Sequence, residues 1–151
     1  MRKNLLDKAC SEAVISRVQK LHSGSTPRWG KMTVTEMLRH CTLVHEQLLA
    51  PAEPTPKKTS LQQYLLRWIV LYALPHYPKG AQAPKRFHTK GMVEAARFEK
   101  EKQAFIDSVR CFAQHQAPIT HWHPYFGNLS TEQWGFTSWK HADHHLRQFG
   151  V

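Results

Sequence analysis

Cysteine is scarce and badly spaced for chemistry of its own. The three present (Cys10, Cys41, Cys111) are an odd number, lie far apart and form no C-x-x-C pair. That pattern argues against a disulfide framework and against a cysteine zinc site, and predicts buried thiols. Acidic residues are also few, 11 against 21 Lys and Arg, so the chain carries a net charge of +10. An excess of that sign raises nucleic acid or an acidic small molecule as partners to be weighed. Long apolar runs are missing too. The longest, Leu61 to Leu74, is too short for a bilayer and has Arg67 in its middle. At the N-terminus Asp7, Lys8 and Glu12 interrupt the stretch a signal peptide would need. The expectation is a cytoplasmic protein with no membrane partner. With no low-hydrophobicity block and no periodic Gly or Pro, disordered and fibrous classes fall away. What remains is a single globular domain, residues 1-151.

Apolar periodicity points to helices. Leu5, Leu6, Ala9, Cys10, Ala13, Val14, Val18 and Leu21 recur at three and four, predicting a helix over about 4-21 that stops before Ser23-Gly24-Ser25-Thr26-Pro27. Thr33-Val34-Thr35-Glu36 reads as a capping box opening a second helix to about Leu49, stopped by Pro51, Pro54 and Pro56. A short, strongly apolar third helix is expected from Leu61 to Leu74, ended by Pro75. Residues 75-91, with Pro78, Gly80 and Pro84, read as irregular. Val93, Ala96, Phe105, Ile106, Val109 and Phe112 predict a long helix over about 92-114. Ser130-Thr131-Glu132-Gln133 is a second capping-box pattern, opening a last helix to Phe149 with Gly150 placed to end it. No alternating stretch is left for a sheet. The pattern predicts an all-α four-helix bundle with one additional short helix.

Histidine is what the chain has in excess: eleven, five of them at His121, His123, His141, His144 and His145. On a helix, residues four apart point the same way, so His141 and His145 can share one metal ion, with Trp134, Ser138 and Gln148 on the same face. A third ligand must come from another helix, and His40 is the best placed, mid-helix among apolar neighbours where an unpartnered imidazole is hard to satisfy. Three neutral imidazoles leave a divalent ion its full charge, and zinc held this way brings its bound water to a pKa of about 7. His144, at the edge of the same face, is placed to relay a proton or touch substrate, whereas Asp143 and Arg147 have the spacing of an exposed i,i+4 pair. Against this stands a plainer reading, in which His40 is a satisfied core residue and His144 and His145 complement the helix dipole. His121-Trp122-His123 precedes a capping box in a loop, where exposure or pocket-rim packing is expected more often than metal binding.

Two segments carry a resemblance to a known family. Trp29-Gly30-Lys31-Met32-Thr33 through Met37-Leu38-Arg39-His40 is one, and His123-Pro124-Tyr125-Phe126-Gly127 through Trp134-Gly135 to His141-Ala142-Asp143-His144-His145-Leu146-Arg147-Gln148 is the other. In these the chain resembles the DinB/YfiT-like superfamily of metalloenzymes, in particular a bacterial branch of uncharacterised function. The resemblance implies a four-helix bundle, often dimeric, with a divalent metal, nickel or zinc, held by His40, His141 and His145. Where many relatives have Arg-Gly-Gln after the histidine pair, this chain has Arg147-Gln148 without the glycine. Residues 50-90 match weakly, so no substrate preference carries over.

The function expected is therefore a metal-dependent enzyme of hydrolase or thiol-transferase type, acting on a small molecule, a low-molecular-weight thiol among the candidates. Trp29, Tyr125, Trp134 and Gln148 are the expected pocket walls and His144 the candidate proton carrier. The alternatives are a non-catalytic bundle that a metal only clamps, and a nucleic-acid-binding module. The second is disfavoured because Lys and Arg are scattered over every segment and no nucleic-acid motif appears.

Overall fold

The computed structural model describes residues 2–52, 57–80 and 84–151. Pro54 and Pro56, read above as part of a helix stop, lie outside them. The fold is dominated by five α-helices: α1 (Lys8–Gln19), α2 (Val34–Leu49), α3 (Leu61–Trp68), α4 (Phe98–Gln114) and α5 (Thr131–Gln148). α2 packs on α4 and α5, and α1 on α4 and α5, around Leu5, Val14, Val18, Met37, Leu38, Phe105, Phe112 and Leu146, all shut away from water.

Caps set most of the boundaries. Both predicted capping boxes form: Thr33 accepts from Glu36 N while Glu36 accepts from Thr33 N, and Ser130 and Gln133 do the same for α5. Leu129 and Trp134, the residues flanking that second box, are both buried. At the other end of α5, Gly150 at φ +84° lets its own N–H reach Arg147 O and the N–H of Val151 reach Leu146 O, a Schellman closure.

Five expectations are corrected. α1 begins at Lys8 rather than near residue 4, because Asp7 caps it through Cys10 N at 2.9 Å and the preceding residues are tied to α5: Leu5 N donates to Gly135 O and Asn4 Nδ2 to Glu132 O. α4 begins at Phe98 rather than Met92. Thr89 Oγ1 donates to Glu36 O and Gly91 N to the Glu36 carboxylate, so 89-91 are held against α2 and a 3-10 turn, Ala95–Arg97, leads into the helix. The third helix is α only to Trp68; Ile69–Ala73 widens to a π turn in which Leu74 N reaches Ile69 O, and the buried Lys140 ammonium donates to the carbonyls of Val70, Leu71 and Leu74. A two-stranded antiparallel ribbon also forms, β1 (Trp122–His123) against β2 (Gly127–Asn128), too short to show as an alternating pattern. The thiols divide: Cys41 is buried, Cys10 half-buried and Cys111 exposed, so only Cys41 meets the expectation.

Candidate metal centre

α2 and α5 meet so that His40, His141 and His145 each turn a ring nitrogen toward a common point, the three atoms lying within 4.8 Å of one another. Spacing alone explains the pair on α5. His40 arrives from α2, and what fixes its ring is a backbone atom: His40 Nδ1 lies 2.8 Å from Phe87 O. A carbonyl can only accept, so Nδ1 carries the proton and Nε2 keeps its lone pair. His145 is held likewise, Nδ1 donating to Gln148 Oε1 at 2.9 Å, while Gln148 Nε2 donates to Trp29 O at 2.7 Å and so fixes which end of the amide faces the ring. Arg28 N donates to Gln148 O at 2.7 Å, a second tie between this loop and α5. The close approach needs Gly30, at φ +82°, where a Cβ would stand 2.6 Å from Gln148 Nε2.

Burial keeps all three imidazoles neutral. It pushes His145 down to about 3, with His40 as a secondary cause. It lowers His141 well below the ordinary histidine value, with His145 and His40 adding to the effect. It lowers His40 too, against the opposing bond to Phe87. His40 Nε2 and His141 Nε2 face each other at 3.1 Å, and His141 Nδ1 is shut away from water without a partner. Nitrogens about 2.0–2.1 Å from a tetrahedral zinc ion stand about 3.3 Å apart, so the observed separation suits two ligands of one ion. With Nε2 of His40 and of His145 fixed as lone pairs, this donor set fits a divalent transition metal of borderline softness.

His144 sits beside the cluster, not in it. Its ring centroid is 5.2 Å from that of His145 and 5.6 Å from that of Trp29, with Tyr77 at 6.4 Å. Burial lowers its pKa, opposed by a hydrogen bond to the Tyr77 carbonyl and by the Asp143 charge. The stretch expected to be irregular thus contributes Tyr77 beside His144, the Lys79 ammonium 4.6 Å over the Trp29 ring and, from a 3-10 turn at Lys85–Phe87, Phe87 as the anchor of His40.

A family model described as a protein of unknown function (DUF1569) matches residues 1–150. The chain belongs to that family. No curated protein and no solved structure matches it.

Of the expected pocket walls, Trp29 and Gln148 are brought to the histidines; Tyr125 and Trp134 are not. They gather instead around His123, Tyr125 at 6.1 Å and Trp134 at 5.4 Å between ring centroids, and Tyr125 is largely exposed. Trp134 lies seven residues before His141, about 10 Å along the helix axis, so sharing a helical face does not make it a neighbour. His123 is a turn-holding residue: its Nδ1 accepts from the N–H groups of Tyr125 and Phe126, its ring stacks on Phe126 at 4.2 Å, and burial pushes its pKa down to about 4. Asp143 is not half of an exposed pair with Arg147. It is buried and bonded to Arg17 on α1 at 2.8 Å, with His76 Nδ1 at 3.5 Å from its other oxygen. Sequence reading also passed over His45, fully buried with Nδ1 bonded to Ser108 Oγ at 3.0 Å and Nε2 unpartnered. Its place at the α2–α4 contact, one turn beyond Cys41, was the available signal.

Proposed function

We propose that the protein is a divalent-metal-dependent enzyme of the DinB type, a four-helix bundle of α1, α2, α4 and α5 whose metal, zinc or nickel, is held by His40, His141 and His145. The reaction class is transfer to or from a small thiol, or hydrolysis. The observation that supports this best is the convergence of three neutral imidazoles, those of His40 and His145 buried and that of His141 half-buried, two of them with the far nitrogen already donating to a fixed acceptor. A structural core histidine does not need two neighbours of its own kind.

A divalent ion held by the neutral imidazoles of His40, His141 and His145 would supply a Lewis acid, making a thiol or water easier to deprotonate. The protein's own groups do the rest. Phe87 O and Gln148 Oε1 keep the Nδ1 protons of His40 and His145 turned away from the ion's position. Trp29, with Lys79 above it, walls the side where His144 stands, and the ring nitrogen of His144 opposite the one bonded to Tyr77 is the group that would accept or return the proton.

Elemental analysis of untagged protein tests the assignment, since a tag's histidines would imitate the result. About one equivalent of transition metal per chain is expected, lost in His40→Ala, His141→Ala and His145→Ala and kept in His88→Ala and His115→Ala. Equal metal content in all five would refute it. Because the ligands join α2 to α5, a purely clamping ion is the competing reading. It predicts a melting temperature that falls on metal removal with no turnover of any thiol or ester by the loaded protein.

A further inference from the structure

Three guanidinium groups far apart in the sequence converge on one cleft. Arg39 comes from α2, Arg86 from the 3-10 turn Lys85–Phe87 and Arg97 from the turn that leads into α4. The cavity they line holds about 220 Å³, with Leu43, Met92 and Val93 as its apolar part. Among the described residues Glu101 is the one carboxylate in that lining, so three cations against one anion leave a surplus of two positive charges. Other cations of the chain are matched by acceptors, Arg17 by Asp143 and Lys140 by three carbonyls. Here the matching is incomplete. Arg39 gives Nη1 to Glu46 at 3.2 Å and Arg97 gives Nη2 to Glu101 at 2.8 Å, one nitrogen each from a fork of five N–H donors. Glu101 is almost wholly buried, so it anchors Arg97 at the cleft. Arg86 has no carboxylate partner among the described residues, and its guanidinium lies 4.9 Å from the centroid of the Phe87 ring.

We propose that this cleft is a phosphate site, taking the dianionic phosphoryl group of inorganic phosphate or of a small phosphate monoester. Like charges gathered in a cleft with apolar walls focus the field and raise the local concentration of a counter-ion. Guanidinium forks match phosphoryl oxygens two at a time, which a point charge does not. Size narrows the ligand further. The cavity is smaller than the roughly 300–1,000 Å³ that a drug-sized ligand occupies, so it admits a small anion or the charged end of a larger molecule. A nucleic-acid strand is a poorer occupant, because it needs a groove that follows successive phosphates. The cleft is separate from the candidate metal centre, since none of His40, His141 and His145 lines it. The two share one turn: Phe87, whose carbonyl holds His40 Nδ1, sits in the chain between Arg86 and His88, both in the cleft wall. Phosphate binding here requires no metal.

The test is titration calorimetry of the full chain at low ionic strength, with inorganic phosphate and phenyl phosphate as the two probes. Saturable binding of about one equivalent is expected, weakening as salt is added. Losing one charge-assisted bond should weaken it about tenfold or more in Arg86→Gln and in Arg39→Gln. Tighter binding of phenyl phosphate would identify a monoester as the occupant, and tighter or equal binding of inorganic phosphate the free ion. A metal at the histidines would also attract phosphate, so His141→Ala is the control and should bind both probes as wild type does, whether or not wild type carries a metal. Loss of binding in that variant with its helical circular dichroism intact overturns the proposal. So does wild-type affinity in Arg86→Gln, the absence of saturable binding by either probe, or binding of a single-stranded oligonucleotide alone. If another variant fails to fold, Arg86→Gln decides, because that side chain is exposed and no hydrogen bond holds it among the described residues.

Discussion

Gln148→Leu removes one side chain that makes two directed bonds. Leucine nearly fills the space, so the effect is in the polar groups left behind. His145 Nδ1–H loses its acceptor at 2.9 Å and the Trp29 carbonyl its donor at 2.7 Å, both at a side chain that is almost wholly buried. A buried donor without a partner costs about 1–3 kcal/mol, and the second bond about 1 kcal/mol more, for a total of about 2–4 kcal/mol. For a domain of this size that lowers the melting temperature by on the order of 10 °C. Independently, His145 is free to rotate or change tautomer, and loss of such an outer partner weakens metal binding about 10- to 100-fold. Gln148→Glu separates the two effects. Its carboxylate still accepts from His145 but cannot donate to Trp29 O, so it should be destabilised while keeping metal affinity within about tenfold of wild type. The readouts are a chelator-competition titration and a thermal melt on each variant. If Gln148→Leu loses stability but holds zinc as tightly as wild type, Gln148 is a packing residue and the orientation argument fails.

The remaining expectations concern stability. His45, pushed down to about 3 by complete burial, stays neutral in the folded chain while the unfolded chain takes up a proton below about 6.5. The unfolded state therefore binds more protons between those values. The stability is complete above about pH 6.5 and falls by up to about 1.4 kcal/mol per pH unit as the pH drops toward 3. In urea titrations of metal-free protein, His45→Leu should flatten that dependence, and an unchanged slope would contradict it. Lys140→Met should cost about 2 kcal/mol by leaving the carbonyls of Val70, Leu71 and Leu74 without their donor, read as a lower melting temperature. An unaltered melt would show that water replaces the ammonium. Asp143→Asn should cost about 1–3 kcal/mol by weakening the tie from α5 to Arg17 on α1 while leaving metal content unchanged. Loss of metal in that variant would mean the tie positions the histidines as well.

Much of the helical frame was legible because caps are local. Thr33 with Glu36 and Ser130 with Gln133 are three residues apart, so the chemistry that starts α2 and α5 is written in consecutive letters. The errors fall where a distant atom overrides the local pattern. Residues 4-6 have helical periodicity, yet Leu5 N is taken by Gly135 O from the other end of the chain. Met92 and Val93 continue the rhythm of α4, yet Glu36 on α2 claims the backbone at Gly91. The apolar run 61-74 reads as one helix, but Lys140 competes for its last carbonyls and the turn widens.

The same division runs through the candidate centre. A pair four apart is a property of one helix, and His40 stood out as a polar residue on an apolar face. The groups that decide whether these rings can serve as ligands are the carbonyls of Phe87 and Trp29. Carbonyls belong to every residue alike, so no side-chain pattern could have marked those two. Trp134 shows the converse failure, because a shared helical stripe fixes direction but not depth, and two turns along α5 place it with His123 instead of with the histidine cluster. Asp143 failed for a third reason: its partner Arg17 lies 126 positions away, and the i,i+4 alternative at Arg147 was the only one visible without the fold. What the sequence alone could deliver was therefore the identity of the three rings that the fold brings together. Which nitrogen His40 and His145 present depends on loops docking against the helix pair, and a variant that moves those loops should disturb metal binding while every histidine remains in place.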